Sequence, residues 1–304
     1  TLNEYEDELS KYVSGKSPIQ KLADKVKVGD YVTYTPDALD SNALEKLKAN
    51  LNTYSGKSDS TINAAIDRQD LKWRVLDVQN GQVRLISETP TTSKIELYGY
   101  NGYNNAVKLL DDACSTLYTN KKLASRVQNL KIEDITKYMT TQPTEDTTPY
   151  SPSTKYYPEI LLKEKEQTVN GTVGTELDVS EQTEFINQTT KPQVNSWILR
   201  KTYWFHSMNN TDSFKDTKYY ELFINNGNNY SPYWVSSRCI DADSYHSSFN
   251  VHIVNMGFID ANGLCNSDTN NSTNECTFRP CITLNSNVQV TSGNGTAEQA
   301  YVIK

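Results

Sequence analysis

The chain has 304 residues, 36% of them apolar, with a formal net charge of −7 and a sequence pI of about 5.1. This length is enough for one large domain, or two small ones, with a sizeable core. No predicted strand or helix carries a cluster of Lys and Arg, which excludes the basic surface that nucleic-acid binding requires. The same lack argues against a basic amphipathic helix on a membrane surface.

The N-terminal segment has a helical pattern. Apolar residues recur at helical spacing, with polar residues between them, at Leu2, Tyr5, Leu9, Tyr12 and Val13. We predict that residues 1–27 form a helical stalk. Because the pattern is already in progress at Thr1, we interpret it as the end of a longer helix. Contact with a membrane would then need a segment that is not part of this chain.

The clearest hairpin of the sequence lies at residues 72–86. Two β-patterned runs, 72–78 and 82–86, flank Asn80-Gly81, a dipeptide that accepts the positive φ values of a type I′ turn. Before it, residues 30–35 alternate apolar and polar side chains as a strand does, and a polar, helix-prone insert follows. A strand at 95–98 comes after it.

The rest of the chain mixes helices and strands. Helices are predicted at 101–120, with an apolar face, and at 132–139, followed by a Thr/Pro-rich stretch at 140–154. Irregular strands at 156–162 and 197–206 and a helix near 214–223 come next. The closing strands are predicted at 233–241, 249–255, 257–259, 278–284 and 300–303. This order predicts an α+β domain that extends from residue 28 to residue 304.

The last third has the composition of a binding surface. It contains no Lys from residue 219 to 303, and it is rich in the short amides, hydroxyls and aromatic rings that binding loops use. We predict a ligand-facing surface within 225–274, with contact candidates Tyr230, Tyr233, Trp234, Asp241, Asp243, Tyr245, His246, Phe249, His252 and Asn255. The alternative explanation is a loop-rich end from an Asn-rich genome.

Five cysteines are present, without a CxxC motif or a nearby His at metal-ligand spacing, which argues against structural zinc. Cys265 and Cys276 flank a polar loop and would close it if they paired. Cys114 in a predicted helix and Cys239 at the end of a strand could join helix to sheet. Five reduced thiols are the alternative.

No catalytic group is predicted. The three His residues are scattered and no nucleophile motif surrounds them. Two polar segments, 260–263 and 266–270, offer Asp and Asn oxygen ligands of the kind that calcium prefers, but they lack the closing pattern of an EF-hand. Asx turns explain them equally well.

Six motifs together carry a resemblance to a known family: Asp30-Tyr-Val-Thr-Tyr34, Leu71-Lys-Trp-Arg-Val-Leu76, Asn101-Gly-Tyr-Asn-Asn-Ala-Val-Lys-Leu-Leu110, Ile132-Glu-Asp-Ile135, Tyr233-Trp-Val-Ser-Ser-Arg238 and Phe278-Arg-Pro280. The chain resembles an uncharacterised bacterial surface-protein family whose members often follow a type IV prepilin-like helix. The C-terminal half of that family is similar to the C-type-lectin-like fold. This fold also occurs in formylglycine-generating enzymes and in the variable proteins of diversity-generating retroelements.

The resemblance implies a location outside the cell, on the surface or on a pilus, and a minor-pilin-like or adhesin-like role. Its partners would be host or bacterial surface proteins, glycans or pilin subunits. It also suggests that the 225–274 surface is diversified, and that calcium is the metal to expect if any cofactor binds. The alternative is an oxidase of the formylglycine-generating type that uses Cys276 and Cys281. A shared fold does not decide between these functions.

Overall fold

The computed structural model describes residues 20–140, 185, 206–208, 211–224, 232–242, 247–266 and 271–304. These residues form a mixed α+β structure with two β-sheets, as the order of predicted elements indicated. Residues 1–19, most of the Thr/Pro-rich stretch, and the predicted strands at 156–162 and 197–205 lie outside the described residues. None of the described helices is long and apolar enough to cross a membrane.

The first sheet has eight strands. In their order across the sheet they are β1 (Gln20–Lys21), β13 (Gln289–Ser292), β14 (Tyr301–Ile303), β2 (Tyr31–Thr33), β3 (Trp73–Gln79), β4 (Gln82–Ser87), β12 (Pro280–Leu284) and β6 (Ala124–Asn129). Neighbouring strands are antiparallel except for β14 and β2, which are parallel.

The second sheet has six described strands. In their order across the sheet they are β5 (Lys94–Tyr98), β11 (Thr273–Phe278), β8 (Tyr233–Ala242), β9 (Ser247–Asn255), β10 (Phe258–Asn266) and β7 (His206–Ser207). The β11 and β8 pair is parallel and the other pairs are antiparallel.

Five α-helices occur within the described ranges: α1 (Ser41–Tyr54), α2 (Thr61–Ala64), α3 (Gly99–Tyr118), α4 (Ile132–Thr136) and α5 (Thr217–Ile224). The side chain of Asp40 begins α1 by accepting hydrogen bonds from the N–H groups of Asn42 and Ala43, which are otherwise without helical partners. Short 3₁₀ turns lie at Leu22–Asp24 and Thr211–Ser213.

Helix α3 is the centre of the larger hydrophobic core. The apolar face predicted from its spacing is fully buried, at Ala106, Leu109, Leu110, Ala113 and Leu117. The same cluster contains side chains from both sheets, such as Val75 of β3 and Trp234 of β8. Because α3 contacts both sheets, its burial fixes their separation.

A second, smaller core lies on the other side of β3 and β4. Leu76 and Ile86 belong to it, whereas their neighbours Val75 and Leu85 belong to the core around α3. Successive residues of a strand point to opposite faces, so these two strands are covered on both sides. Helices α4 and α5, together with side chains of β8, β9 and β10, belong to the cluster on the second face.

The predicted hairpin is confirmed. Strands β3 and β4 pair from Trp73↔Ser87 to Gln79↔Gln82, and the connecting Asn80 and Gly81 have φ values of 52° and 75°. Positive φ at both central residues is the type I′ turn that the dipeptide favours. The helix predicted at 132–139 is shorter than expected and ends at Thr136.

Two expectations about boundaries are wrong. Residues 20–27 were assigned to the stalk, yet Gln20 pairs with Val290 and Leu22 is buried in the core, so they belong to the body. The single strand expected at 278–284 is interrupted at Arg279: β11 before it lies in the second sheet and β12 after it in the first. The chain crosses from the second sheet to the first at this residue, and no local sequence pattern predicts the crossing.

Candidate functional site

One end of the second sheet gathers the strand ends on which the candidate site is based. Ala242, which ends β8, pairs with Ser247 at the start of β9, and Asn266, which ends β10, pairs with Ser248. Three strand ends therefore meet at one place. The sequence that follows β8 contains three of the predicted contact residues, and the connecting segments 243–246 and 267–270 both contain Asp and Ser.

Four predicted contact residues lie in the interior instead. Tyr233, Trp234, Phe249 and His252 expose at most 2% of their surface. The prediction that they face a ligand is therefore wrong for this structure. The physical reason is that β8 and β9 are inner strands of the sheet, with apolar cover on both faces.

These buried side chains hold the frame of the site. The indole Nε1 of Trp234 donates to the carbonyl of Ile95 at 2.8 Å, and the hydroxyl of Tyr233 donates to the carbonyl of Phe223 at 3.0 Å. Each of these hydrogen bonds provides a partner for a buried polar group that has no access to water. The frame therefore couples β8 to β5 and α5.

Aromatic contacts join α3 to β9 at the same end of the sheet. The ring of Phe249 lies 5.6 Å from the ring of Tyr103 and 5.9 Å from that of Tyr100, between centroids. His252, three residues further along β9, has its Nδ1 3.1 Å from the carbonyl oxygen of Ser237. The two centroid distances from Phe249 are typical of favourable aromatic pairs.

The remaining predicted residues are only partly described. Asn255 is half-buried at the end of β9, and the backbone of Asp241 forms part of β8. Tyr230, Asp243, Tyr245 and His246 lie outside the described residues.

A large bulge in β8 shapes the site. The pairing passes from Trp234↔Ile253 directly to Arg238↔Val251, so three residues of β8 face a single residue of β9. The bulged Ser236 donates its backbone N–H to the carbonyl of Leu130 at 2.8 Å. A bulge re-aims the side chain that follows it, and here that side chain is Arg238.

Arg238 is the feature that the contact predictions missed. Its side chain is buried, Nη1 donates to the carbonyl of Asn104 at 3.1 Å, and Cζ lies 5.4 Å from the ring centroid of Tyr103. Neither Nε nor Nη2 has a hydrogen-bond partner in the part of the chain that the structure describes. Burial lowers the pKa of Arg238, because a charge is costly to remove from water. The available sequence signal was a lone cation in a region without Lys.

Arg279, the other arginine of the last third of the chain, is also buried. Its guanidinium donates to the carbonyl oxygens of Ser87, Glu88 and Phe223. Arg279 thus closes the gap where the chain crosses between sheets.

Beside the bulge, a buried amide joins β6 to β8 and to the crossing at Arg279. Asn129 of β6 donates through Nδ2 to the carbonyl of Trp234 at 2.9 Å, and its Oδ1 accepts from the N–H of Arg279 at 2.8 Å. Its own backbone N–H and the hydroxyl of Ser236 both donate to Oδ1 of Asp111, at 3.0 and 3.1 Å. Desolvation nevertheless raises the pKa of Asp111 to about 6.

Replacing Asp111 by Asn is expected to flatten the dependence of stability on pH. The carboxyl binds its proton more tightly when folded, with a pKa of about 6 against 3.8 unfolded. Wild-type stability should therefore fall as pH rises from about 4 to 6. Asn keeps an oxygen acceptor without charge, so we expect the variant to be about 1–3 kcal/mol more stable than wild type at pH 7.

Urea unfolding of both proteins between pH 4 and 8 measures this difference. Asp112→Asn is the control, because that neighbouring carboxylate is paired with Lys108 near the surface. Equal stability of wild type and Asp111→Asn across this range would contradict the expected burial of a charge at Asp111.

Neither of the predicted disulfides is formed. Cys114 and Cys276 are free thiols, so the Cys114–Cys239 and Cys265–Cys276 pairings are both absent. Cys114 faces the core of α3, beside Asn129, with its Sγ 3.9 Å from the amide oxygen. Helical packing, rather than a covalent link, holds α3 against the sheet.

The geometry gives little support to chemistry at Cys276 and Cys281. The two residues belong to different sheets and different cores. Burial raises the pKa of Cys276 to about 12 and that of Cys281 further. A thiol is nucleophilic and redox-active as its thiolate, which these environments disfavour at neutral pH.

The segment 260–263, considered as a calcium loop, lies within strand β10. The carboxylate of Asp260 accepts from the N–H of Ala261 at 2.7 Å, and the amide of Asn262 donates to the sulfur of Cys276. Within the described residues, no group of three or more His, Cys, Asp or Glu side chains could hold a metal ion. Of the second segment, 267–270 lies outside the described residues.

Comparison with known proteins finds no match: no protein-family model, no curated protein and no solved structure is significantly similar to the chain.

Proposed function

We propose that this chain is a ligand-binding module, without enzymatic activity, whose binding surface lies at the end of the second sheet where β8 ends, β9 begins and β10 ends. The meeting of these three strand ends is the observation that carries the proposal. Because these strands are neighbours, the polar segments 243–246 and 267–270 are attached to the same end of the sheet.

The buried frame beneath this end supports a binding role. Binding segments are commonly carried by a rigid scaffold, because a fixed base reduces the entropy lost when the ligand binds. Trp234, Tyr233 and Phe249 are such a base: their rings are buried and tie the strands to β5, α5 and α3. Their interior position makes them supports for contact residues.

The sequence motifs are the basis for the biological setting that we propose. We propose a C-type-lectin-like protein on the cell surface or on a pilus, acting in adhesion on a protein or glycan. A binding surface diversified by a retroelement fits the abundance of Asn, Tyr, Ser and Asp residues in the 225–274 segment. A near-copy of the 225–274 segment beside a reverse-transcriptase gene, differing at adenines, would establish diversification, and its absence would leave a fixed surface.

An array of glycans and surface proteins probed with the whole chain tests the function. The informative variant is the double substitution Tyr245→Ala, His246→Ala. Met256→Ala is the matched control, since Met256 is 62% exposed in the turn at the opposite end of β9. We expect the double variant to lose at least tenfold in affinity for the captured ligand, as hot-spot truncations do, and the control to bind as wild type.

Equal loss in both variants, or in neither, would refute this location of the surface. Oxidation of a sulfatase-type cysteine peptide by the wild type, abolished in Cys276→Ser, Cys281→Ser, would replace the binding function with the oxidase.

A further inference from the structure

We propose that the Nε–Nη2 edge of Arg238 binds a carboxylate group of the ligand, so that the ligand is an acid. This inference rests on the proposed binding function and names the chemical class of its ligand. The observation behind it is a guanidinium that is 2% exposed and has two donor nitrogens without partners among the described residues.

Two other buried arginines, Arg84 and Arg279, show how this edge is used elsewhere in the molecule. Nε and Nη2 of Arg84 donate to the two carboxylate oxygens of Asp77, at 2.7 and 2.6 Å. The same two nitrogens of Arg279 donate to the carbonyl of Ser87, at 3.2 and 3.0 Å. Of these three arginines, Arg238 alone has this edge open. The edge carries parallel N–H donors that match the two oxygens of a carboxylate.

The surroundings of Arg238 orient it for binding. Nη1 is fixed on the carbonyl of Asn104, and the guanidinium lies over the ring of Tyr103. Both contacts restrain the group and leave Nε and Nη2 without partners among the described residues, so little rotamer entropy remains to be lost on binding. A buried charge with unpaired donors is costly, and a bound carboxylate would remove that cost.

The charge balance favours a carboxylate over a phosphate. No Lys occurs from residue 219 to 303, so no lysine of the neighbouring stretch of sequence adds a second cation to Arg238. One cation neutralises one carboxylate, whereas a phosphate dianion would leave a net charge in a buried place. Arg238 lies four residues before the end of β8, one of the three strand ends on which the proposed binding surface is based.

Binding of small acids to the purified whole chain tests the site. The probes are acetate and benzoate, with acetamide and benzamide as neutral analogues of the same shape and inorganic phosphate as the competing anion. Calorimetry and thermal shift should detect benzoate and acetate on the wild type and none of the amides. Arg238→Met should weaken benzoate binding by about tenfold or more, because two charge-assisted hydrogen bonds are lost.

Arg126→Met is the control, since Arg126 is exposed on β6 and away from this site. It should bind benzoate as the wild type does. Without added acid, Arg238→Met should melt at or above the temperature of the wild type, because it removes an uncompensated buried charge. An arginine with a purely structural role would give the opposite shift.

The wild type provides a measurement that does not depend on a variant. With ¹⁵N-labelled arginine, the Nε–H signal of Arg238 should move on addition of benzoate and stay fixed with benzamide. A chemical shift that does not change on addition of benzoate, or that changes equally on addition of phosphate, would overturn the carboxylate assignment.

The outcomes separate this inference from the proposed function. If the Arg238→Met variant binds the array ligands as tightly as the wild type does, the carboxylate inference is overturned, whereas the proposed binding function is retained. A benzoate response with an array on which nothing binds would support the site and count against a surface ligand.

Discussion

Replacing Asp77 by Ala is expected to lower the free energy of unfolding by about 3–5 kcal/mol, the usual cost of removing one partner from a buried ion pair. Arg84 contacts both oxygens of Asp77 and also donates to Asp134 at 2.6 Å. Lys137 donates to Asp77 at 3.1 Å, and the hydroxyl of Tyr138 donates to the same oxygen. Without Asp77, the buried guanidinium keeps one carboxylate and loses its bidentate partner.

This substitution should also change the acid dependence of stability. Burial opposes ionisation of Asp77, but hydrogen bonds and charge from Arg84, Tyr138 and Lys137 outweigh it and lower its pKa to about 2, against 3.8 unfolded. A depressed folded pKa stabilises the protein above about pH 4, and that stability is lost as pH falls toward 2. The Ala variant should lack this part of the acid transition.

Urea unfolding at pH 7 and at several values between pH 2 and 5 measures both effects. Asp70→Ala is the control, because Asp70 is exposed and should change stability by no more than about 0.5 kcal/mol. Equal losses in the two variants would show that the network around Asp77 contributes no more than a surface charge.

The second large effect is expected for Asn129→Ala, which should cost about 3–5 kcal/mol because it leaves several buried groups unpaired, at about 1–3 kcal/mol each. The lost side chain bonds the carbonyl of Trp234, the hydroxyl of Ser236 and the N–H of Arg279. These groups lie on β8 and at the crossing between sheets. The substitution should therefore destabilise β8 and the crossing at Arg279 together.

Hydrogen exchange combined with unfolding measures this result. Protection should fall most at the N–H groups of residues 233–238 and 279, while Asn287→Ala, at an exposed turn position, should leave exchange and stability unchanged. A uniform loss of protection across both sheets would contradict the local role that we assign to Asn129.

The short-range elements could be predicted because their causes are local. The φ preferences of Asn80 and Gly81 specify the hairpin turn whatever surrounds it, and the 3.6-residue spacing of apolar groups specifies helix α3. The α+β class also follows from the order of such elements along the chain.

Strand β10 shows where local preference fails. Its nine residues include Asp260, Asn262 and Gly263, which are weak strand formers, so the sequence indicated only a short strand at 257–259. Pairing with β9 along almost its full length stabilises the extended form. Partners that are distant in sequence, or fixed by a turn, can override the preference of single residues.

The candidate site was predicted as a region, but the role of its residues was decided by tertiary structure. Composition predicted that the binding surface lies within 225–274. An aromatic ring such as that of Trp234 or Phe249, however, occurs both on ligand-binding surfaces and in hydrophobic cores. Burial depends on which strands lie alongside and on the cover from α3, which no local pattern encodes. The same holds for Arg238: the sequence supplies a cation, and only the packing around the β8 bulge leaves its Nε–Nη2 edge without a partner among the described residues.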